Sequence, residues 1–210
     1  MTVLRVDATI QGDRSASAAL ADLVTAELTA ARPGETVVHR HLGADPLPAD
    51  AWATAVGAGF VPESDRSPAQ VEALALAGRV ADELRTADAA VLALPLYNWG
   101  VSQHVKTWID LVVAGGTPGE PVLAGKPVVL ITTRGGSYAP GTPKEGWDHG
   151  IGYLRRIVGE VWQADLTVIE RELTLVGVNP ALDAFAEPAA LMRKEAEEAA
   201  AAAGRALASR

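Results

Sequence analysis

A run of six consecutive apolar residues, 89–94, constrains the fold of this chain more than any other feature. Such a run is typical of a strand that is buried on both faces of a parallel sheet. Pro95 ends it because proline cannot donate a hydrogen bond to a neighbouring strand. We expect Gly100 to supply the backbone freedom of the turn that follows. An amphipathic helix is predicted over 101–112. Between Pro95 and Gly100 lie side chains able to select a ligand: Tyr97, Asn98 and Trp99.

Similar runs alternate with helical patterns along the whole chain, which is typical of an α/β fold. The predicted strands are 3–8, 36–42, 89–94, 127–132 and 166–173, and the predicted helices are 15–32, 67–87, 101–112, 148–158 and 187–207. Right-handed crossovers leave few topologies, and five strands fit a flavodoxin-like three-layer sandwich with a parallel sheet in the order 2-1-3-4-5. Because no linker divides the chain, we expect a single domain over residues 1–210.

This strand order predicts a ligand at the carboxyl ends of strands 1 and 3, where the order of the strands reverses. The two most unusual loops, 9–17 and 95–100, are the ones that follow these two strands. One connection, 49–66, shows no clear pattern. Its Trp52 and Phe60 indicate that this connection packs on some other surface.

The composition excludes several classes of protein. A net charge of -8 argues against a nucleic acid or an anionic membrane as partner. With no cysteine, the chain has no thiolate nucleophile and no cysteine-ligated metal. His39 and His41 lack a third ligand, so we expect no metal site. The N-terminal apolar stretch is too short for a signal peptide, and no run reaches the ~18 residues of a membrane span, so we expect a cytoplasmic protein.

The loop after the first strand has the chemistry of a phosphate site. Thr9, Ser15 and Ser17 place three hydroxyls around a predicted helix start, and Arg14 adds positive charge. Helix N-termini attract anions through their free N–H groups and the helix dipole. The chain has neither G-x-G-x-x-G nor a Walker lysine, so a mononucleotide such as FMN suits this loop best. An ordinary serine N-cap is the simpler alternative.

Two further loops offer surfaces for a flat ring. Asn98 can both donate and accept a hydrogen bond, and Tyr97 and Trp99 could stack on a planar ring; burial of Trp99 in the core is the alternative. After strand 4, the segment Thr133-Arg134-Gly135-Gly136 lets backbone N–H groups approach a ligand closely. Two such groups at the N1/O2 edge of a flavin would stabilise the charge of the reduced ring. A tight turn is the alternative.

These loops resemble those of a known family. PLYNWGVS at 95–102, TTRGG at 132–136, Ser-Ala-Ser at 15–17 and the segment 67–88 are similar to the FMN-dependent NADH-azoreductases, also called FMN-dependent NADH:quinone oxidoreductases. The resemblance implies a flavodoxin-like homodimer with one FMN per subunit. It also implies that NADH or NADPH reduces the FMN, which then passes two electrons to a quinone or an azo compound in a ping-pong cycle.

The resemblance assigns binding residues position by position. It implies that FMN phosphate is held by Thr9, Ser15, Ala16 and Ser17. It implies that the isoalloxazine is lined by Pro95, Leu96, Tyr97, Asn98 and Trp99, and that its pyrimidine side is closed by Thr133, Arg134, Gly135 and Gly136. Tyr138 occupies a position where many members carry histidine, and we treat it as the candidate catalytic donor to an oxyanion on the substrate. A surface tyrosine without such a role is the alternative.

The loop at 115–123 is several residues shorter than in the family, where an insertion helps to cover the flavin. A more open pocket would suit a bulky polycyclic quinone or another aromatic acceptor. Three alternatives therefore stay open at this point. The chain could be a pathway-specific flavin reductase acting on an aromatic natural-product intermediate, a flavodoxin-type electron carrier, or a structural dimer that has lost FMN.

Overall fold

A computed structural model describes residues 1–117 and 119–210. At its centre is a five-stranded parallel sheet in the order β2-β1-β3-β4-β5. The strands are β1 (Thr2–Asp7), β2 (Thr36–His41), β3 (Ala89–Ala93), β4 (Pro127–Thr133) and β5 (Asp165–Arg171). The predicted fold class and strand order are confirmed. In particular, β1 pairs with β3, although β2 lies between them in the sequence.

Within the described residues, six α-helices cover the two faces of the sheet. They are α1 (Ala16–Ala31), α2 (Ala51–Ala58), α3 (Pro68–Thr86), α4 (Gln103–Gly115), α5 (Ile151–Arg155) and α6 (Ala186–Ala208). Three of them start at a serine whose hydroxyl accepts a backbone N–H, namely Ser15, Ser67 and Ser102. None of the helices in the described part of the chain is long and apolar enough to cross a membrane.

Alternate strand residues feed two hydrophobic cores, one on each face. Leu92 and Leu130 pack with Trp108 and the other apolar residues of α2 to α5. On the opposite face, Val91 and Val129 pack with α1 and α6. The strands β3 and β4 are therefore buried on both sides, which explains their unbroken apolar sequences.

The connection at 49–66, for which the sequence shows no clear pattern, packs against the rest of the protein. It forms α2, which turns an alanine face towards α3 and the core through Ala51, Ala55 and Ala58. The connection therefore packs as predicted, but through its alanines, since the side chains of Trp52 and Phe60 are 45% and 86% exposed. Small residues allow α2 to approach closely, so its large residues are left on the outer face.

Two helix boundaries also differ from the predicted ones. Residues 148–150 precede α5 rather than belonging to it, and the helix continues as a π-helical turn to Val161. Val101 lies before α4, whose N-cap is Ser102. Within the short loop at 115–123, Pro118 lies outside the described residues.

A glycine makes the contact between α1 and α6 possible. A Cβ atom added at Gly204 would overlap the carbonyl oxygen of Val24 and would lie 2.7 Å from the Cβ of Glu27. By contrast, nothing lies within 4 Å of a Cβ added at Gly78 in α3. The two helical glycines therefore form a matched pair, one required by packing and one free.

We expect Gly204→Ala to lower the free energy of unfolding by about 1–3 kcal/mol, because the helices must move apart. Gly78→Ala should raise it by about 0.5–1 kcal/mol, because alanine has less backbone entropy to lose in a helix. Urea denaturation followed by circular dichroism measures both. Equal effects of the two substitutions would contradict the packing explanation.

Candidate functional site

Three loops meet in one cleft at the carboxyl ends of the strands. The cleft is lined by Thr9, Gln11, Arg14, Ser15, Ala16 and Ser17 after β1, by Pro95, Leu96 and Tyr97 after β3, by Thr133 and Gly135 after β4, and by Thr174 and Leu175 after β5. Nine of these residues are among those predicted from the sequence. Convergence of the loops follows from the parallel sheet, which brings the ends of β1, β3 and β4 to one rim.

The start of α1 forms the polar end of the cleft. Ser15 is the N-cap, and its Oγ accepts the N–H of Ala18 at 3.1 Å and lies 3.1 Å from the Oγ of Ser17. The first N–H groups of a helix have no intrahelical acceptor. Those of Ala16 and Ser17 are therefore available to an anion, and the exposed Arg14 lies on the same rim. This geometry suits a phosphate group. Ser15 is also an ordinary N-cap, as the simpler alternative states.

Tyr97 joins the loops that follow β1 and β3. Its hydroxyl accepts the N–H of Ile10 at 3.2 Å and lies 3.5 Å from the Oγ1 of Thr9. The N–H of Leu96 donates to the carbonyl of Thr133 at 3.0 Å, which ties the same loop to the end of β4. The loop after β3 is thus bonded to both of the other loops, so the cleft has a defined shape.

The turn after β3 has an unusual backbone. Tyr97 and Gly100 exchange two hydrogen bonds of 3.0 Å, and the residues between them have positive φ angles, 47° at Asn98 and 65° at Trp99. Two residues in this region define a type I′ turn. The expectation that Gly100 supplies the backbone freedom is wrong, because Asn98 and Trp99 carry the left-handed conformation. Such conformations cost energy and occur often at functional sites.

Trp99 is 45% exposed, so its alternative interpretation as a core residue is wrong. Asn98 is exposed as well. Neither side chain lines the cleft; both lie at its edge, one and two residues beyond Tyr97. Both predicted residues belong to the turn that starts at Tyr97, which lines the cleft.

The segment after β5, which the sequence analysis missed, closes the cleft from the fourth side. The N–H groups of Thr174 and Leu175 donate to the carbonyls of Arg134 and Gly135 at 3.1 Å each. A Cβ atom added at Gly135 would lie 2.6 Å from the Cδ1 of Leu175, so a side chain at this position would force Leu175 to move. No motif marks residues 173–175, but their position after a parallel strand next to β4 could have indicated them.

Arg134 is 5% exposed and its guanidinium points away from the cleft. Its Nε donates to Asp148 at 2.5 Å and its Nη2 to Glu170 at 2.6 Å, while Nη1 lies 3.8 Å from Glu172. Burial acts to lower the pKa of Arg134, but these carboxylates outweigh it and raise that pKa. The side chain therefore fixes the loop after β4, and only the backbone of this residue is free to meet a ligand.

Asp148 connects that loop to α5. Its second oxygen accepts the N–H groups of Gly150 at 2.8 Å and Ile151 at 2.9 Å. Burial acts to raise the pKa of Asp148, but the N–H of Ile151, the Arg134 guanidinium and the N–H of Gly150 together bring the pKa below its ordinary value. Asp148 thus remains ionised at neutral pH.

Tyr138 lies beside the cleft but does not line it. Its N–H donates to Glu172 at 3.1 Å, and the ammonium of Lys144 lies 5.6 Å from its ring centroid. Burial and the charge of Asp148 raise the pKa of Tyr138, so the phenol keeps its proton at neutral pH. Gly136 also stays outside the cleft lining, one residue beyond Gly135.

The residues present fit a phosphorylated planar cofactor. The start of α1 provides free N–H groups and buried hydroxyls at one end, and Gly135 provides a surface without a side chain at the other. Between them lie the buried Pro95 and the half-buried Leu96 and Tyr97. No cluster of three or more histidine, aspartate or glutamate side chains in the described ranges is placed to hold a metal.

The ion pair of Asp148 leads to a pH-dependent prediction. We expect Asp148→Asn to lower the free energy of unfolding by about 2 kcal/mol at pH 7, since it removes a charge partner of a buried guanidinium. Asp148 has a lowered pKa when folded, so its stabilisation is complete above the unfolded pKa of about 3.9 and is lost as pH falls below it. The difference between wild type and variant should therefore shrink between pH 5 and pH 3.

Urea denaturation at several pH values measures this difference. Asp110→Asn, which breaks the exposed i,i+4 pair with Lys106, is the control and should cost less than about 0.5 kcal/mol. A difference for Asp148→Asn that is as large at pH 3 as at pH 7 would rule out the ionic contribution.

Comparison with known proteins identifies the family to which this chain belongs. A family model described as "Flavodoxin-like fold" matches residues 1–196. An "FMN-dependent NADH:quinone oxidoreductase" from Parafrankia sp. (strain EAN1pec) is 37% identical over 203 residues, which cover 94% of this chain and 96% of that protein.

Solved structures show the same fold. The azoreductase from Bacillus anthracis str. Sterne superposes with a TM-score of 0.77 at 24% identity, covering 98% of this chain and 99% of that one. An FMN-dependent NADH-azoreductase from Bacillus anthracis str. Ames Ancestor, solved in complex with FMN, has a TM-score of 0.72 at 19% identity, covering 97% and 100%. With this fold, this cleft and this relative, the chain belongs to the flavodoxin-like family of FMN-dependent NADH:quinone oxidoreductases.

Proposed function

We propose that this chain binds FMN and transfers two electrons from NADH to a quinone or another aromatic acceptor, including azo compounds. One observation carries the proposal: the start of α1, the turn at 97–100 and the loop at 133–136 meet around one cleft. The names of the relatives support it, since the 37% identical protein is a quinone oxidoreductase that depends on FMN. An azoreductase of the same fold was solved with FMN bound.

In this proposal, each predicted binding residue has a distinct task. The N–H groups of Ala16 and Ser17, with the hydroxyls of Thr9, Ser15 and Ser17, would bind the phosphate. Pro95, Leu96 and Tyr97 would contact one face of the isoalloxazine, with Asn98 and Trp99 at its edge. Thr133 and the backbones of Arg134, Gly135 and Gly136 would lie along the pyrimidine side. FMN would supply the two-electron chemistry itself.

The protein's own residues would then orient the reactants and stabilise charge. Backbone N–H groups at Gly135 and Gly136 would stabilise negative charge on the pyrimidine side, as donors do in an oxyanion hole. Because one cleft serves both substrates, the donor would have to leave before the acceptor binds, which gives a ping-pong cycle. Tyr138 would hold a proton on its hydroxyl for an oxyanion on the acceptor, and its raised pKa keeps that proton in place.

We further propose that residues 1–210 form one FMN-binding domain and that the protein is a homodimer in the cytoplasm, without a nucleic-acid or membrane partner. An apolar stripe on the outer face of α2 supports the dimer. Trp52 and Val56 lie one turn apart on it and are 45% and 41% exposed, and Phe60 follows just beyond the end of the helix and is 86% exposed. Large exposed apolar surfaces of this kind occur at protein interfaces. NADPH is the alternative donor, since the sequence assigns no acidic residue or arginine to the ribose of the nicotinamide cofactor.

The first test of the proposal is the visible spectrum of the purified protein before and after anaerobic addition of NADH. We expect a yellow protein that NADH bleaches, and whose colour menadione restores in stoichiometric amount. Steady-state rates at several concentrations of NADH and menadione should give parallel double-reciprocal lines. A colourless protein that refuses added FMN would contradict the proposed function, and bleaching without turnover would favour the electron carrier.

Ser17 provides a test of the phosphate site. Its hydroxyl is buried, with a relative exposure of 1%, and lies at the start of α1. We expect Ser17→Ala to weaken FMN binding by about tenfold, because one charge-assisted hydrogen bond to the phosphate is lost. Titration of the apoprotein, followed by flavin fluorescence, measures the dissociation constant. Thr25→Ala removes a hydroxyl from α1 away from the cleft and should leave the constant unchanged; a similar loss in both variants would count against the phosphate site.

A further inference from the structure

Two exposed indoles stand next to each other at the edge of the cleft. The rings of Trp99 and Trp147 meet edge to face, with centroids 6.1 Å apart and an interplanar angle of 69°. They are 45% and 49% exposed. Trp99 lies two residues beyond Tyr97, which lines the cleft, so the pair continues the surface of the proposed flavin site.

A second tryptophan pair shows what such a contact looks like in the core. Trp108 and Trp162 also meet edge to face, with centroids 5.6 Å apart and an angle of 90°. Their side chains are only 0% and 2% exposed. That pair contributes to the hydrophobic core, whereas Trp99 and Trp147 leave about half of their surface to the solvent. Core packing therefore does not explain the pair at the edge.

Several bonds fix Trp147 in this place. Its own N–H donates to the carbonyl of Lys144 at 3.1 Å. The next residue is Asp148, which is paired with the buried Arg134. The N–H of His149 then donates to the carbonyl of Trp99 at 2.8 Å. The two indoles thus belong to segments that are bonded together, and their arrangement exists before any ligand binds.

Gly150 brings this segment against the cleft itself. A Cβ atom added at Gly150 would lie 2.8 Å from Leu96, a residue that lines the cleft. The segment that carries Trp147 therefore touches the loop on which the flavin ring would rest. A molecule stacked on the exposed indoles would lie beside that ring.

We propose that Trp99 and Trp147 form an aromatic wall for planar polycyclic electron acceptors, and that Trp147 determines the preference for them. This inference rests on the proposed function, which supplies the electrons. The two rings are tilted by 69° with centroids 6.1 Å apart, so a larger flat molecule that stacks on one indole gains more contact with the other than a single ring does. Aromatic contacts are favourable beyond the area that they bury, so the wall distinguishes acceptors by size and flatness.

The kinetic test compares 9,10-phenanthrenequinone with 1,4-benzoquinone as acceptors for the FMN-loaded enzyme. We expect Trp147→Ala to raise KM for phenanthrenequinone by about three- to tenfold, the range of one aromatic contact. Trp147→Phe should show a smaller effect, and kcat and the KM for benzoquinone should stay within about twofold, since the change affects only binding. Equal effects on both quinones would overturn the proposal.

A binding test separates the wall from the redox activity. Isothermal titration with anthracene-2-sulfonate, which cannot accept the electrons, should show binding to the FMN-loaded protein and about three- to tenfold weaker binding to Trp147→Ala. Phe185→Ala is the matched control, because Phe185 is an exposed aromatic residue, 46% exposed, that belongs to neither the cleft nor the proposed dimer surface; it should bind the probe like wild type.

The apoprotein is titrated in the same way, so that the wall is tested even if FMN binding fails. A protein that takes no FMN contradicts the proposed function, whereas equal affinity of wild type and Trp147→Ala for the probe contradicts the wall. Sedimentation of each variant tests the remaining possibility, that a second copy of the chain contacts the two indoles. A Trp147→Ala protein that changes its oligomeric state while it binds the probe normally would show that the indoles contact a second copy of the chain, and would also overturn the proposal.

Discussion

The buried guanidinium of Arg134 holds the site together. It pairs with Asp148 before α5 and with Glu170 on β5, and it lies near Glu172 beyond that strand. A buried charge without partners is costly. The guanidinium therefore holds each of these carboxylates beside it. Glu172 in turn accepts the Ser137 hydroxyl at 2.7 Å. One side chain thereby fixes the positions of the loop after β4, the segment before α5 and the end of β5.

The cleft inherits its shape from this network. The backbone of the loop after β4 is free to meet a ligand because the side chain at position 134 is occupied elsewhere. The segment 148–150 reaches the turn after β3 through His149 and Gly150, so the network also supports the opposite wall. A site built in this way has its geometry before a ligand arrives, and preorganised groups lose little entropy on binding.

The sequence alone predicted the sheet and most of the cleft. Runs such as 89–94 and 127–132 identify buried strands, and parallel strands bring their loops to one rim whatever the family. Features that depend on contacts between distant segments were not predictable. Leu175 follows β5 without any motif, and the exposure of Phe60 is decided by the alanine face of α2. Likewise, the left-handed turn was assigned to Gly100 because glycine adopts positive φ most easily, yet Asn98 and Trp99 adopt it.

That turn also determines which positions at the edge of the cleft tolerate substitution. The φ angle of 65° at position 99 is unfavourable for β-branched side chains. Many replacements at this position would therefore strain the turn at 97–100. Trp147 has an ordinary backbone conformation and its side chain is half exposed. Substitutions at position 147 would therefore alter the proposed aromatic wall without straining the backbone, whereas substitutions at position 99 would also strain the turn.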